Sequence, residues 1–234
     1  MNTRILRTRV QRGAVMLAVS IALSVGVGGA AHALQPFPAL DQALGQPAPA
    51  AGPATGAGTG ATVTAAGPVA TGPSRAEANA REISERFPAA SRAGMASALV
   101  KSLDVYRKIE AAFGWPEGDM AGSMAAFLVG NYMVMTGAEV PDEQFSAVAR
   151  QLRSSQRLRD SLSQRSAREL RDAYEQQAMV GAFMAITLKA NATTPIPAQA
   201  MANLRDTARA NLRLALNADP DTMRIGPDGI RLGR

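Results

Sequence analysis

The chain has 234 residues, no cysteine, one histidine and a formal net charge of +6. Without cysteine it can form neither disulfides nor thiolate metal sites. Its single histidine, His32, lies near the N-terminus, so the rest of the chain has no histidine for a Ser-His-Asp catalytic triad or a zinc site. Four arginines among residues 1–33 account for most of the excess charge. The remainder is close to neutral and gives no reason to expect nucleic acid as a partner.

The N-terminal segment predicts export. Its four arginines precede an uncharged apolar run, 13–30, and Ala31-His32-Ala33 ends the run with the small-x-small pattern that signal peptidase cleaves. We therefore predict a signal peptide over residues 1–33 and a periplasmic or secreted protein that begins at Leu34. The apolar run is also close to the length of a membrane span. The alternative therefore stays open that the segment is not cleaved and anchors the protein in the membrane.

Residues 34–73 predict a disordered linker. They are rich in proline, alanine, glycine and threonine, and Asp41 is their single charge. A segment with frequent backbone breakers and no apolar face has nothing to bury in return for the entropy of ordering. We therefore place the folded part at residues 74–234, a length that suits one domain.

Two helices are predicted at the start of this domain. Ser74 and Glu77 have the spacing of a capping box, which predicts a first helix that ends before Pro88. Apolar residues then recur at three- and four-residue steps over 91–113 and predict a second, amphipathic helix. Gly114-Trp115-Pro116 breaks this helix.

A third helix is predicted over 120–136, with Asp119 as its N-cap and Gly137 as its C-terminal stop. The segment is apolar almost all round, so we expect it to be buried on most sides. Small residues recur on it at four-residue steps, which would let another helix approach closely. These residues are Gly122, Ala126 and Gly130.

A fourth helix is predicted from Pro141, and the Ser/Arg-rich stretch 154–165 breaks it. Ser166 with Glu169 forms a second capping box and predicts a fifth helix to about residue 190. The latter half of this helix is as apolar as the third helix. We therefore expect these two helices to pair as the core.

A sixth helix follows Pro197 and ends at Asp219-Pro220. Beyond it, apolar residues alternate on either side of Pro227-Asp228-Gly229, as in a short hairpin. The sequence therefore predicts an all-α fold. We expect a single compact helical domain of about six helices with a small C-terminal β-hairpin.

Three acidic residues form the first candidate site. Glu110, Glu117 and Asp119 lie on both sides of the predicted break and could share a loop. Two carboxylates can act as acid and base in glycoside cleavage, or bind Ca²⁺ together with backbone carbonyls. The simpler interpretation is that Asp119 only caps a helix and that the glutamates are solvated. With aromatic residues at 4% of the chain, an aromatic-lined sugar groove is not expected.

An arginine-rich segment, 150–171, forms the second candidate site. It could bind anionic envelope surfaces such as lipid headgroups or lipopolysaccharide. Acidic residues are interleaved with the arginines, however, so a solvated face of neighbouring ion pairs is the simpler interpretation. Interleaved aromatics that would stack on bases are lacking. The arginines are Arg150, Arg153, Arg157, Arg159, Arg165, Arg168 and Arg171.

Four polar residues lie in the two helices of the predicted core: Asn131 and Tyr132 in the third, Tyr174 and Glu175 in the fifth. A buried Asn or Tyr needs a hydrogen-bond partner, so we expect a structural polar contact between these helices. Methionines of the third helix could bind Cu(I), but on an apolar helix they favour core packing. No cofactor or metal is predicted.

In several short segments, the folded part of the chain resembles an uncharacterised family of secreted proteins of Gram-negative bacteria. The resemblance covers most of residues 106–232 and none of the signal or linker. It implies export and a helical domain, and it carries no assigned activity, so it transfers no catalytic residue. The matching segments are Phe127-Leu128-Val129-Gly130-Asn131-Tyr132, Thr136-Gly137, Gln151-Leu152-Arg153, Tyr174-Glu175, Leu204-Arg205, Ala208, Asn211-Leu212 and Asp219-Pro220.

The residues together favour an exported binding or interaction domain over an enzyme, with a protein or another envelope component as its unidentified partner. Two alternatives stay open. One is a carboxylate-based enzyme or Ca²⁺ site near Glu110, Glu117 and Asp119, and the other is an anionic-surface binder that uses Arg150–Arg171. No catalytic, cofactor-binding or metal-binding residue is assigned.

Overall fold

The computed structural model describes residues 67–233, so the predicted signal peptide, its cleavage residues Ala31 and Ala33, and most of the predicted linker lie outside the described residues. The all-α prediction with a C-terminal hairpin is confirmed. The elements are α1 (Ala76–Ser84), α2 (Ala89–Ala112), α3 (Met120–Thr136), α4 (Asp142–Ser154), α5 (Gln156–Ser163), α6 (Ala167–Thr193), α7 (Ala198–Leu216), a 3-10 turn (Pro220–Thr222), β1 (Met223–Gly226) and β2 (Gly229–Leu232).

Helices α3 and α6 form the centre of the domain, as predicted. A Cβ atom at Gly130 would lie 2.1 Å from the Gly181 carbonyl oxygen, and one at Gly181 would lie 2.3 Å from the Ala126 backbone. The two backbones therefore touch, which is possible because these positions carry no larger side chain. Gly122, the third predicted member of this small-residue face, instead faces the ring of Trp115 and the hydroxyl of Tyr106.

The remaining elements surround this pair. Helices α1 and α2 pack on α6, whereas α4 and α7 pack on α3. The hairpin lies on α4, where the Gln151 side-chain amide replaces a strand. Its Nε2 donates to the Ile230 carbonyl at 2.9 Å, and the Ile230 N–H donates to its Oε1 at 2.8 Å. Among the described helices, none is both long enough and apolar enough to cross a membrane.

The arginine-rich stretch is more ordered than its composition predicts. The break after α4 occupies only Ser155, and the chain then forms the additional helix α5. Ser155 caps α5 by accepting the Leu158 N–H at 3.3 Å. Leu158 and Leu162 are buried against the core. Two leucines one turn apart therefore form the buried face of a short helix that is otherwise polar.

The two predicted capping boxes have different outcomes. At Ser166 the box forms, because its side chain accepts the Glu169 N–H and the Glu169 side chain accepts the Ser166 N–H. At Ser74 the prediction is wrong. The Ser74 hydroxyl donates to the Glu175 carboxylate at 2.7 Å, and α1 begins with Arg75 as its N-cap and no side-chain cap.

The described structure begins before the predicted domain boundary at Ser74. Ala70 is buried, and its N–H donates to the Gly118 carbonyl at 2.8 Å. The Met120 N–H donates to the Pro68 carbonyl at 3.1 Å, which makes Val69 and Asp119 an antiparallel bridge. We call residues 67–70 the strap. Composition placed them in the linker, but main-chain hydrogen bonds, which composition does not report, attach them to the domain.

Candidate functional site

The predicted carboxylate site divides into two buried groups and one exposed group. Glu110, in the last turn of α2, is 2% exposed, and Asp119, at the start of α3, is completely buried. Glu117 lies in the intervening loop and is exposed to solvent. The three carboxylates therefore do not converge. Within residues 67–233, no group of three or more acidic or histidine side chains could hold a metal ion.

Glu110 joins α2 to the other two elements of the site. One carboxylate oxygen accepts the Asp119 N–H at 3.0 Å, and the other accepts the Tyr174 hydroxyl at 2.8 Å. Burial raises the pKa of Glu110, while the hydrogen bonds from Tyr174 and from the loop backbone oppose that change. Burial and the neighbouring Glu110 charge raise the pKa of Tyr174 well above its ordinary value. Tyr174 is therefore a neutral donor to this carboxylate.

Asp119 caps α3 and pairs with an arginine. Its Oδ2 accepts the Gly122 N–H at 3.1 Å and the Arg153 Nε–H at 3.1 Å, and the Arg153 Nη2 also donates to it. The guanidinium carbon of Arg153 lies 4.5 Å from the ring centroid of Trp115, which is a cation–π contact. The other carboxylate oxygen of Asp119, Oδ1, is buried without a hydrogen-bond partner.

Tyr106 completes the interior of the cluster. Its ring lies edge-on to Tyr174 at 5.9 Å, and its hydroxyl is buried without a hydrogen-bond partner. Burial first, and then the negative charge of Glu110, raise the pKa of Tyr106 well above the ordinary value. The hydroxyl fits because the facing residue is Gly122, where a Cβ atom would lie 2.7 Å from it.

The strap covers this cluster from one side. Arg171, on α6, is 7% exposed, and its Nη2 donates to the Ala70 carbonyl at 2.8 Å. Gly67 lies over the aliphatic part of Arg153, because a Cβ atom there would be 3.4 Å from the Arg153 Cγ. Two arginines of the predicted anionic-surface segment thus point inward, toward the strap and Asp119. This arrangement reduces the segment's capacity to bind an external anion.

The other arginines of that segment are distributed differently. Arg159 donates to the Arg153 carbonyl, which ties α5 to α4, and to the Gln156 side chain within α5. Arg168 lies 3.8 Å from Asp172 and is largely exposed. Arg150 is exposed on α4. The segment therefore contains both structural and surface residues and is not one continuous basic patch.

A second buried carboxylate, Glu175, attaches α1 to α6. Besides the Ser74 hydroxyl, it accepts the Arg75 N–H at 3.0 Å and the Asn79 side-chain amide at 2.8 Å. Arg107 lies 3.9 Å from it. A carboxylate at the first N–H groups of a helix is stabilised by their partial positive charge. Glu175 therefore takes the place of the missing capping box.

The four residues of the polar contact predicted between α3 and α6 lie in separate places. Asn131 donates to the Phe127 carbonyl at 2.7 Å and accepts the Asn211 amide of α7 at 2.9 Å. Tyr132 is half-buried against the core, whereas Tyr174 and Glu175 serve the two clusters described above. The polar contact that joins α3 to α6 is instead made by Ser123 and Gln177 at 3.2 Å.

The arrangement of Glu110, Asp119, Arg153 and Tyr174 was not evident from the sequence. The sequence presents Arg153 only as one of the arginines of 150–171, and Tyr174 only as part of an expected polar contact between the two core helices. Their partners lie 34 and 64 residues away in the chain, respectively. Asp119 as a helix cap was the one local signal, and it located the cluster without its partners.

The fold and this cluster define a class of protein: an α-helical domain with a small hairpin, in which interior charges are bound by the domain's own side chains and backbone. The chain belongs to the family of unknown function DUF6683, whose model matches residues 16–233. The match extends over more of the chain than the resemblance did, because it begins within the apolar N-terminal run. Neither the curated proteins nor the solved structures include a match to it.

Proposed function

We propose that this protein is an exported helical interaction domain of the cell envelope of a Gram-negative bacterium, and that it acts by binding and not by catalysis. The observation that carries the proposal is that the buried carboxylates are hydrogen-bonded within the domain. Glu110, Asp119 and Glu175 each accept hydrogen bonds from groups of the same chain. A catalytic acid or base needs access to a substrate proton, and these carboxylates face the interior.

The N-terminal pattern supports the location. An arginine-rich start, an apolar run and Ala31-His32-Ala33 are typical of a cleaved signal. A helical domain that needs no disulfide can fold after export without oxidation, in agreement with a chain that contains no cysteine.

The proposal is tested in the natural host with a C-terminally tagged chain. Intact mass spectrometry of the periplasmic fraction should find a protein that begins at Leu34, and the double variant Ala31→Arg, Ala33→Arg should keep its full mass. Native mass spectrometry of the purified protein should then show a second polypeptide in stoichiometric amount, absent from an unrelated tagged exported protein. A full-length cytoplasmic chain would contradict export, and a stoichiometric small-molecule ligand would favour an enzyme.

The carboxylate alternative has its own test. If Glu110, Glu117 and Asp119 bound Ca²⁺, the ion would raise the unfolding temperature of the wild type, and Asp119→Ala would abolish that increase. Glu169→Ala is the matched control, because it removes an acid from a helix start elsewhere. The geometry predicts instead that Asp119→Ala lowers stability equally with and without Ca²⁺.

The anionic-surface alternative depends on the arginines of 150–171 that face solvent. Binding to vesicles that contain acidic lipid should then fall when Arg150 and Arg168 are both replaced by Gln, and it should fall in 0.5 M salt. Because Arg153 and Arg171 are engaged in the interior, we expect little binding at physiological salt even for the wild type.

A further inference from the structure

The strap occupies a groove in the way that a bound peptide does. It is extended, it forms an antiparallel bridge with the α2–α3 loop, and three of its main-chain groups are hydrogen-bonded to the domain. The Pro68 carbonyl accepts the Met120 N–H, the Ala70 N–H donates to Gly118, and the Ala70 carbonyl accepts Arg171. This is the pattern of β-strand addition, in which main-chain bonds supply affinity and a buried side chain supplies selectivity.

The groove selects small residues. Ala70 is 1% exposed, so a longer side chain at that position would not fit without displacement. Gly118 forms the opposite wall, where a Cβ atom would lie 2.5 Å from the Ala70 carbonyl oxygen. Gly118 also has φ of 85°, which favours glycine. An uncharged extended segment with alanine at the buried position therefore matches this groove.

The floor of the groove is polar and depends on the strap for its cover. Asp119 Oδ1 and Arg171 Nε are both buried without hydrogen-bond partners, although each belongs to a charged side chain. Such groups are costly to bury. Both lie beside the strap, because a Cβ atom at Gly67 would be 3.8 Å from Asp119 Oδ1 and the Arg171 Nη2 donates to the Ala70 carbonyl. Asp119 Oδ1 and the Arg171 guanidinium therefore make the floor of the groove charged, and the main chain of the strap lies over it.

The strap is connected to the domain by an exposed hinge. Thr71, Gly72 and Pro73 are all exposed, and they separate the strap from α1. Gly72 has φ of 92°, and no atom lies within 4 Å of where its Cβ would be. The backbone there can turn without breaking a packed contact, so the strap can leave the groove while α1 stays attached through Glu175.

We propose that this groove is an intermolecular peptide site and that its partner is a second copy of this chain, whose strap replaces the resident one. We choose a second copy as the partner because the segment bound in the groove is the chain's own strap, and the strap of another copy has the same sequence. Exchange of an identical element across an exposed hinge is a low-cost route to a dimer. The inference goes beyond the proposed function and holds whether or not the protein is exported or binds another partner.

Cysteine cross-linking tests it directly, since the natural chain has no cysteine. Thr71 and Glu117 are exposed and lie two positions beyond Val69 and before Asp119, on the two sides of the bridge. In the double variant T71C/E117C, a short bismaleimide should link the two positions within one chain. When the single variants T71C and E117C are mixed, strap exchange should yield a covalent dimer.

Two controls separate exchange from collision. Q199C replaces E117C as an exposed partner at the start of α7, which lies at the other end of α3 because Asn211 contacts Asn131 and Gly137 lies near Arg205. The double variant E117C/G118V keeps the reactive cysteine but obstructs the groove. Circular dichroism checks that each variant is folded.

We expect a dimer from T71C with E117C that an excess of a synthetic peptide of residues 64–73 suppresses, and at least tenfold less dimer with either control. A link within the double variant, with no dimer in the mixture at millimolar protein, would show that the strap stays in its own chain and would overturn the proposal. Equal dimer yields with Q199C would do the same. So would failure of the double variant to link, because the strap would then not occupy the groove.

Discussion

Replacing Arg153 by Met should cost far more stability than removing an arginine from an exposed ion pair. Met keeps an apolar stem of similar length but removes every hydrogen bond that Arg153 donates to Asp119. The Asp119 carboxylate, which has no exposed area, then keeps the Gly122 N–H and the positive end of α3 as its compensation. Breaking a buried pair by removing one partner typically costs about 3–5 kcal/mol. We expect Arg153→Met to fall in that range.

The control for this prediction is Arg209→Met. Arg209 lies 3.2 Å from Asp221, and the two side chains are 38% and 56% exposed. Water screens this pair, so its loss should cost less than about 1 kcal/mol. Urea unfolding followed by far-ultraviolet circular dichroism measures both, and the slope m should not change. Fluorescence is less suitable, because Arg153 contacts the only tryptophan, Trp115.

Replacements of Asp119 and Arg153 should also be coupled in their effects on the free energy of unfolding. In the double variant Asp119→Asn, Arg153→Met no carboxylate is left without its partner, so the combined loss should be smaller than the sum of the two single losses. An Arg153→Met variant that loses no more free energy of unfolding than Arg209→Met would refute the reasoning. If the losses of Asp119→Asn and Arg153→Met simply add in the double variant, the proposed pairing of the two side chains is refuted independently.

Four further variants test the rest of the structure. Gly130→Ala should lose about 2 kcal/mol in urea unfolding, because its Cβ would lie 2.1 Å from the Gly181 carbonyl oxygen, whereas Gly94→Ala, with open space on α2, should gain about 1 kcal/mol of helix propensity. Ser166→Ala should lose about 1 kcal/mol with its capping box. Glu110→Gln should change the pH dependence of stability, because burial raises the pKa of Glu110 in the folded state.

The sign for Glu110 follows from that raised pKa. The folded protein binds the Glu110 proton more tightly than the unfolded chain does, so stability contributed by this group falls as pH rises from the ordinary glutamate pKa through the folded value. The wild type should therefore gain stability relative to Glu110→Gln when the pH is lowered across that interval. An unchanged difference between the two proteins from pH 7 to pH 4 would contradict this. Equal stabilities of Gly130→Ala and Gly94→Ala would contradict the close α3–α6 contact.

Local signals predicted most of the helices. Asp119 before an apolar run and Gly137 after it defined α3 to the residue, because a cap and a stop act within one turn of the helix. The apolar periodicity of α3 and α6 also identified the pair that forms the core. Burial of a helix on all sides leaves few options for its partner, so this much of the packing followed from composition along the chain.

The candidate site was less accessible from sequence. The spacing of Glu110, Glu117 and Asp119 suggested one shared loop site, yet it did not show that the helix turns Glu110 inward while Glu117 stays in solvent. From the sequence, the arginines of 150–171 cannot be divided into buried and exposed residues, because each contributes the same charge. Only the position of α4 beside Asp119, and of α6 beside the strap, separates Arg153 and Arg171 from the rest.

Two serines show where local determination ends. Ser166 and Ser74 are each followed three residues later by glutamate, and each precedes a helix. By itself the sequence determined the Ser166 cap, because both hydrogen bonds close within four residues. The tertiary structure alone decided Ser74, whose hydroxyl is bound by Glu175, 101 residues away. A buried carboxylate must find donors, and at Ser74 that requirement outweighs a capping hydrogen bond that water could replace.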